Sequence, residues 1–350
     1  MSTLYEFVRK NIFSKNKIKD SRMIIGNKES MKPLISVIMA AYNAEQFIAV
    51  SIDSVFSQTY DNWELIIIDD CSTDSTVKIV ESYNSDKIIL LQNEKNSGPA
   101  FSRNRGLSSA KGDYIAILDS DDIALEYRFE NQISQFLTNP KLVFTSGSAS
   151  VIDQNGKDLN IIYSSPMDYQ KLKLNILFRC PVIHSTVMYD AKFIRENGIS
   201  YDLEYPCNQD YKMWTDFALF ENIQMNIDSR IYVKYRVSPN QISTKKRAIQ
   251  LVCGKKLREA YLNQLNINYT IDTLSVLVYL DSNNYDGSVS VTTCENVLIN
   301  LRKELKFQFP INDIDSVIIE HLRVLYLKTS CCKFVAGCKY LGAIIKLKLF

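Results

Sequence analysis

The sequence predicts an α/β fold in which a mixed, mostly parallel sheet is covered by helices on both faces. Two observations carry that expectation. From residue 34 onward, short uninterrupted apolar runs alternate with segments of helical spacing, which is how strands buried on both sides and joined by crossover helices read. The chain of 350 residues is 46% hydrophobic, enough to bury such a sheet in a sizeable core.

The elements follow in order. "LISVIMA" (34–40) is the first strand, and Asn43 is placed as the cap of a helix carrying Phe47, Val50, Val55 and Phe56. "ELIIID" (64–69) is the second strand, after which "CSTD" offers capping side chains to a helix with Val77, Val80 and Tyr83. "IILLQ" (88–92) is the third strand. In the next helix Pro99 suits the first turn and Gly112 the end. "YIAILD" (114–119) is the fourth strand. Beyond Asp122 the pattern loosens into a helix at 126–137, a strand near 142–147 and an irregular stretch to about 205. A helix at 209–220 and the strand "IYVKYRV" (231–237) close the region. From 246 the chain reads as mostly helical, with a polar interruption at 281–287. This gives a basic N-terminal extension (1–32), a main domain (33–245) and a C-terminal helical region (246–350).

The formal net charge of +2 conceals an uneven distribution: residues 1–32 carry +5, residues 321–350 carry +6, and the middle carries −9. Basic ends suit a negatively charged partner such as nucleic acid or anionic lipid, or are simply solvated tails. The eight cysteines show no CxxC pair, and the two histidines, His184 and His321, complete no zinc-like spacing. Reduced thiols in a cytoplasmic compartment are expected. No signal peptide is evident, and no run of 18 apolar residues is available to span a bilayer.

Acids collect where strands end. Asp69 and Asp70 close the second strand, and Asp119 and Asp121 close the fourth. In open α/β sheets ligands bind outside the carboxyl ends of the strands. Like charges gathered there repel unless a cation neutralises them, and hard divalent ions take oxygen ligands from carboxylates and substrate phosphates. One such cluster alone also reads as a helix cap; two at successive strand ends favour the cation. Neither GxGxxG after the first strand nor GxxxxGK[ST] anywhere offers another phosphate cradle.

The stretch from "PLISVIMAAYNAEQF" to "IIIDDCSTDST", then "NSGPAFSRNRG" and "GDYIAILDSDD", resembles the nucleotide-binding half of the family 2 glycosyltransferases with the GT-A fold, enzymes that make bacterial surface polysaccharides among other products. The resemblance is continuous over about 33–125 and weaker to about 245. It implies that Ala40, Tyr42 and Asn43 line the nucleoside pocket, with Tyr42 stacking on the base, and that Asp70 hydrogen-bonds the base while Asp69 orients the loop. It places Arg103 beside the nucleotide. Asp119 and Asp121 become a DxD-type motif for Mn²⁺ or Mg²⁺, with Asp121 in direct contact and Asp119 on ribose or reaching the metal through water. In "CNQDYKMWTDF" (207–217) Asp210 inherits the role of general base, and His184, Trp214 and Arg236 fall on the acceptor side. Ser238 stands where many relatives carry a His. That leaves a third metal ligand open, with Arg236 and Lys245 available for phosphate charge. Without the resemblance, Asp210 is a helix-opening charge, His184 a structural histidine and Tyr42 a packing residue.

The function so implied is an inverting, metal-dependent transfer of sugar from a nucleotide donor, UDP-linked, to a saccharide or lipid-linked acceptor, with no nucleic acid partner. Two alternatives remain: a sugar-nucleotide pyrophosphorylase, whose glycine-rich loop after the first strand "AAYNAEQF" does not supply, and a non-catalytic nucleotide-sugar-binding scaffold. The C-terminal stripe of Phe334, Cys338, Leu341, Ile345 and Leu349, flanked by Lys339 and Lys346, either lies in an anionic membrane interface or packs on the core. A cytoplasmic chain, peripheral on the inner membrane, is the corresponding location.

Overall fold

The structure is a computed structural model that describes residues 32–238, 241, 246–282, 288–329, 340–344 and 347. All of the basic N-terminal extension but Lys32, together with Lys245 and most of the C-terminal stripe, lies outside the described residues. Of that stripe and its surroundings, Leu341 is exposed, whereas Ala343 and Leu347 are buried.

Four strands, β1 (Ile35–Ala41), β2 (Trp63–Asp69), β3 (Ile88–Gln92) and β4 (Tyr114–Ile117), form the parallel half of one sheet in the order β3-β2-β1-β4. They are joined by α1 (Ile48–Phe56), α2 (Thr76–Ser82) and α3 (Pro99–Ser109). β1 is apolar at nearly every position because both its faces are covered: Ile35, Val37 and Met39 enter one core with Ile48, Ile52 and Val55 of α1, while Ile38 enters a second core with Ala100 and Leu107 of α3. The exception, buried Ser36, donates to Glu64 Oε1 at 2.5 Å and accepts from Gly112 N at 2.8 Å.

Beyond β4 come the two-residue β5 (Ile123–Ala124), α4 (Arg128–Thr138), the long β6 (Leu142–Ile152), β7 (Asp158–Tyr163), α5 (Tyr169–Asn175), a 3-10 turn (His184–Thr186), β8 (Met188–Asp190), α6 (Ala191–Glu196), α7 (Gln209–Phe217) and β9 (Gln224–Arg236). The sheet continues past β4 as β8-β6-β9-β5, with β7 paired to β6. β8 is antiparallel to both β4 and β6, while β6 and β9 run parallel to each other. C-terminal to these lie α8 (Arg247–Gln264), α9 (Ile271–Ser282), α10 (Val291–Leu305) and α11 (Ile311–Thr329). Buried Arg258 of α8 fastens this helical layer: it donates to the carbonyls of Leu177 and Phe178, each at 2.9 Å, and to Asp281 Oδ2 at 2.7 Å.

Several expectations are corrected. The stretch to 205 is not irregular; it holds β7, β8 and three short helical segments whose apolar side chains are buried by distant partners. Asn43 caps no helix. It has φ +48°, and its Oδ1 accepts from Thr73 N at 2.8 Å, tying the loop after β1 to the loop after β2. α1 begins only at Ile48 and buries Ile48, Ile52 and Val55, leaving Val50 and Phe56 exposed. Gly112 does not end α3 in a left-handed turn; a Cβ there would stand 2.6 Å from Ser36 N and 2.7 Å from Leu34 O, so glycine is required by close approach to β1.

Candidate active site

β1, β2 and β4 are hydrogen-bonded neighbours running in one direction, so their carboxyl ends share one edge and the loops that leave them meet there. Tyr42, half exposed at 50%, follows β1 directly, with Ala40 partly exposed within the strand end. Asp69 and Asp70 are both buried. Asp70 Oδ1 accepts from Asn93 Nδ2 at 2.6 Å and Ser97 N at 2.8 Å, and its Oδ2 accepts from Gly98 N at 2.8 Å. Gly98, at φ +87°, then opens α3. Asp70 therefore organises the 93–98 loop and keeps little acceptor capacity. Asp69 Oδ2 accepts from Ser72 N at 3.0 Å, while its buried Oδ1 meets no donor among the described residues.

α3 carries Arg103 from this loop to the end of β4, where its Nη2 donates to Asp119 Oδ1 at 2.8 Å. His184 Nδ1 faces the same oxygen at 3.4 Å. Burial works against ionising Asp119, but Arg103 and His184 outweigh it and hold the carboxyl well below the usual carboxylate range. Asp121 has no such partner among the described residues. Burial and repulsion from Asp119 push its carboxyl up to about 6, against the pull of Arg236 and Gln241. Asp122 is fully buried and raised further by burial and by both neighbouring acids. Its Oδ1 accepts from Arg236 N at 2.8 Å, while Oδ2 makes no close hydrogen bond among the described residues. Below it, buried Arg128 donates to the carbonyls of Ile117 and Val187 at 2.9 and 3.0 Å, and burial lowers its guanidinium to about 9. The loop thus crowds three carboxyls at a strand end with one of them neutralised by direct pairing. Clustering of this kind costs free energy and favours a cation.

Among the described residues no three His, Cys, Asp or Glu side chains are grouped to hold a metal ion by themselves. The donor set at the loop, hard carboxylate oxygens with Asp121 lacking a paired cation, nevertheless suits a divalent ion that completes its shell with phosphate and water. Asp210 lies in the first turn of α7, close enough that its charge acts on Arg103, Tyr201 and Cys180. It therefore shares the neighbourhood of the Arg103–Asp119 pair.

Two acceptor-side expectations are corrected. Trp214 is 0% exposed and packs against Phe144 at 5.1 Å and Tyr189 at 6.0 Å, so it is a core residue beneath the site rather than an acceptor contact. Arg236 is also buried. Its Nε donates to Asp121 O at 2.8 Å, its Nη1 donates to Asp153 O at 3.1 Å, and its guanidinium lies 4.6 Å from the Phe47 ring, so it braces the acidic loop. His184 is buried between Asp119 and Tyr201. Not legible in the sequence were Asn93, Arg128, Ser185, whose Oγ accepts from Asp119 N at 3.2 Å, and the pair Asn104 and Tyr201, where Asn104 Nδ2 donates to Tyr201 O at 2.8 Å. Their roles come from pairings across dozens of residues, and only Asn93, just past a strand end, carried a local signal.

The glycosyl transferase family 2 model matches residues 36–190, which includes both acidic strand ends. The UDP-Glc:alpha-D-GlcNAc-diphosphoundecaprenol beta-1,3-glucosyltransferase WfgD of Escherichia coli is 37% identical over 213 residues, covering 61% of this chain and 81% of that protein. The chain belongs to glycosyltransferase family 2. It is a transferase in that family, with the mixed α/β core of the GT-A fold and a helical C-terminal region. In fold it is similar to S. aureus TarS 1-349 in complex with UDP, with TM-score 0.55 and 20% identity over 89% of each chain. It is also similar to the mannosyltransferase PcManGT of Pyrobaculum calidifontis in complex with GDP-Man and Mn²⁺, with TM-score 0.50 and 13% identity, covering 99% of this chain and 94% of that one. Among the described residues no helix is long and apolar enough to cross a membrane.

Proposed function

We propose that this family 2 enzyme transfers a sugar, with inversion, from a UDP-linked donor to a lipid-linked saccharide during surface polysaccharide assembly. The observation that carries this reading is the acidic loop Asp119–Asp122, placed at the same sheet edge as exposed Tyr42 and joined to the Asp70-held loop through Arg103. Tyr42 stacks on the base. Asp69, whose Oδ1 meets no donor among the described residues, supplies the acceptor for an imide N–H, while Asp70 fixes the 93–98 loop. Ala40 and Asn43 border the nucleoside, and Asp119 and Arg103 border ribose and diphosphate.

Asp121, with Asp119 through water, would hold Mn²⁺ or Mg²⁺, and such an ion supplies Lewis-acid neutralisation of the departing diphosphate. Asp210 takes the proton from the acceptor hydroxyl as that oxygen attacks the anomeric carbon, where positive character develops as in glycoside cleavage. Ser238 is half-buried in the described structure, and Arg236 fixes the loop rather than the phosphate. Among the described residues the acidic loop alone would hold the ion, with diphosphate and water available for its remaining positions. The diphosphoundecaprenol-linked acceptor of the E. coli relative supports a lipid-linked acceptor here and a peripheral site of action at the cytoplasmic face of the membrane. The test is a screen of UDP-sugars for UDP release with Mn²⁺ in the presence and absence of lipid-linked acceptor. Acceptor-stimulated release that EDTA abolishes is expected; UDP binding with no release on any acceptor overturns the catalytic assignment.

A further inference from the structure

Asp119 is held from two sides, and only one of them is the expected arginine. On the other side stands a chain of buried groups: His184 Nδ1 lies 3.4 Å from Asp119 Oδ1, and His184 Nε2 lies 2.9 Å from the Tyr201 hydroxyl. Tyr189 OH follows at 3.5 Å from Tyr201 OH. Tyr201 is 1% exposed, and burial keeps its phenol protonated far above the ordinary tyrosine value. A carboxylate only accepts, so the Nδ1 that faces Asp119 carries the imidazole proton, and Nε2 accepts from the Tyr201 hydroxyl. Asn104 clamps the Tyr201 backbone in both directions, donating to Tyr201 O and accepting from Tyr201 N, each at 2.8 Å. Asn104 adjoins Arg103 on α3, and the Arg103 guanidinium lies 5.7 Å from the Tyr201 ring. One tyrosine therefore touches both groups that grip Asp119.

We propose that Tyr201 and His184 are positioning residues, a buried strut that fixes the Asp119 carboxylate so that Oδ1 is anchored and Oδ2 is turned to the donor. The inference rests on the functional reading above. Both anchors converge on Oδ1, and Asp119 retains 27% side-chain exposure, so the other oxygen is the one left for a ligand. Without the strut, Arg103 alone would leave the carboxylate free to rotate, and ordering it would fall to the ligand, weakening binding rather than the chemical step.

The test is calorimetric titration of UDP into the full chain with Mn²⁺, for wild type, Tyr201→Phe, His184→Asn and the double variant, with steady-state kinetics alongside. Asn at 184 places an amide N–H near the Nδ1 position, keeping the contact to Asp119 but losing the link to Tyr201. Tyr201→Phe is expected to weaken UDP binding roughly fivefold to tenfold in the wild-type background, to raise donor KM by a similar factor with little change in kcat, and to be silent in the His184→Asn background. Equal losses in both backgrounds, an unchanged affinity, or a loss accompanied by a non-cooperative melt overturn the strut. A wild-type chain that binds no UDP overturns the functional reading and the strut together, whereas wild-type binding with a silent Tyr201→Phe overturns the strut alone.

Discussion

In the proposed mechanism Asp121 and Asp210 have separate duties, and single substitutions divide them. Asp121→Asn removes charge from the acid that has no paired cation, so the metal-dependent part of UDP affinity should fall at least about tenfold. Asp210→Asn should leave UDP affinity unchanged while turnover drops by about 10² to 10⁴, the usual worth of a positioned base. Calorimetry and acceptor-dependent UDP release read the two effects; equal loss of nucleotide binding in both variants would contradict the division. Gly112→Ala tests a purely structural residue. Its new Cβ meets backbone rather than a flexible side chain, so a loss of about 1–3 kcal/mol is expected in chemical denaturation. At this scale the acids were legible because strand-end carboxylates are local features of the chain. Trp214 and Arg236 were misplaced because a side chain's burial depends on partners far away in sequence: Phe144 against Trp214, and Asp153 against Arg236.

The first four strands were readable because each is a continuous apolar run flanked by polar turns. The short elements between 158 and 196 were not, since segments of three to seven residues are ordered by the core they join rather than by their own periodicity. The attachment of the C-terminal helices was equally hidden. It rests on Arg258, whose guanidinium serves the carbonyls of the 177–178 turn and Asp281 from within the core. Arg258→Ala leaves those acceptors and a partly buried Asp281 without a donor, so a cost of about 3–5 kcal/mol is expected. Nearby, His321 of α11 stacks on Phe178 at 4.8 Å. Burial, then the charges of Arg179 and Arg258, lowers its pKa to about 4. A folded-state value below the ordinary histidine value favours the neutral ring. Its contribution, on the order of 3 kcal/mol, is therefore present above about pH 6.5 and lost as pH falls through about 4. Denaturation of wild type and His321→Phe across that window should differ in pH dependence by this amount, and parallel curves would refute it.

For the whole molecule, the sheet divides two cores yet directs its loops to one edge. Helix α1 closes one face and α3 the other, and the loops beside them bring Tyr42, Asp69, Asp70, Arg103 and the acidic loop together. The TM-score of 0.55 to TarS over 89% of each chain, at 20% identity, shows that the fold is shared. At the β4 end Asp119 is paired with Arg103, whereas Asp121 has no paired cation among the described residues. In the proposed mechanism that imbalance directs the ion to Asp121. The most direct measurement is calorimetric titration of UDP into the wild-type protein with Mn²⁺ and then with EDTA. Affinity should be at least about tenfold higher with the ion; equal affinity in both conditions would contradict a metal bridge between the acidic loop and the donor diphosphate.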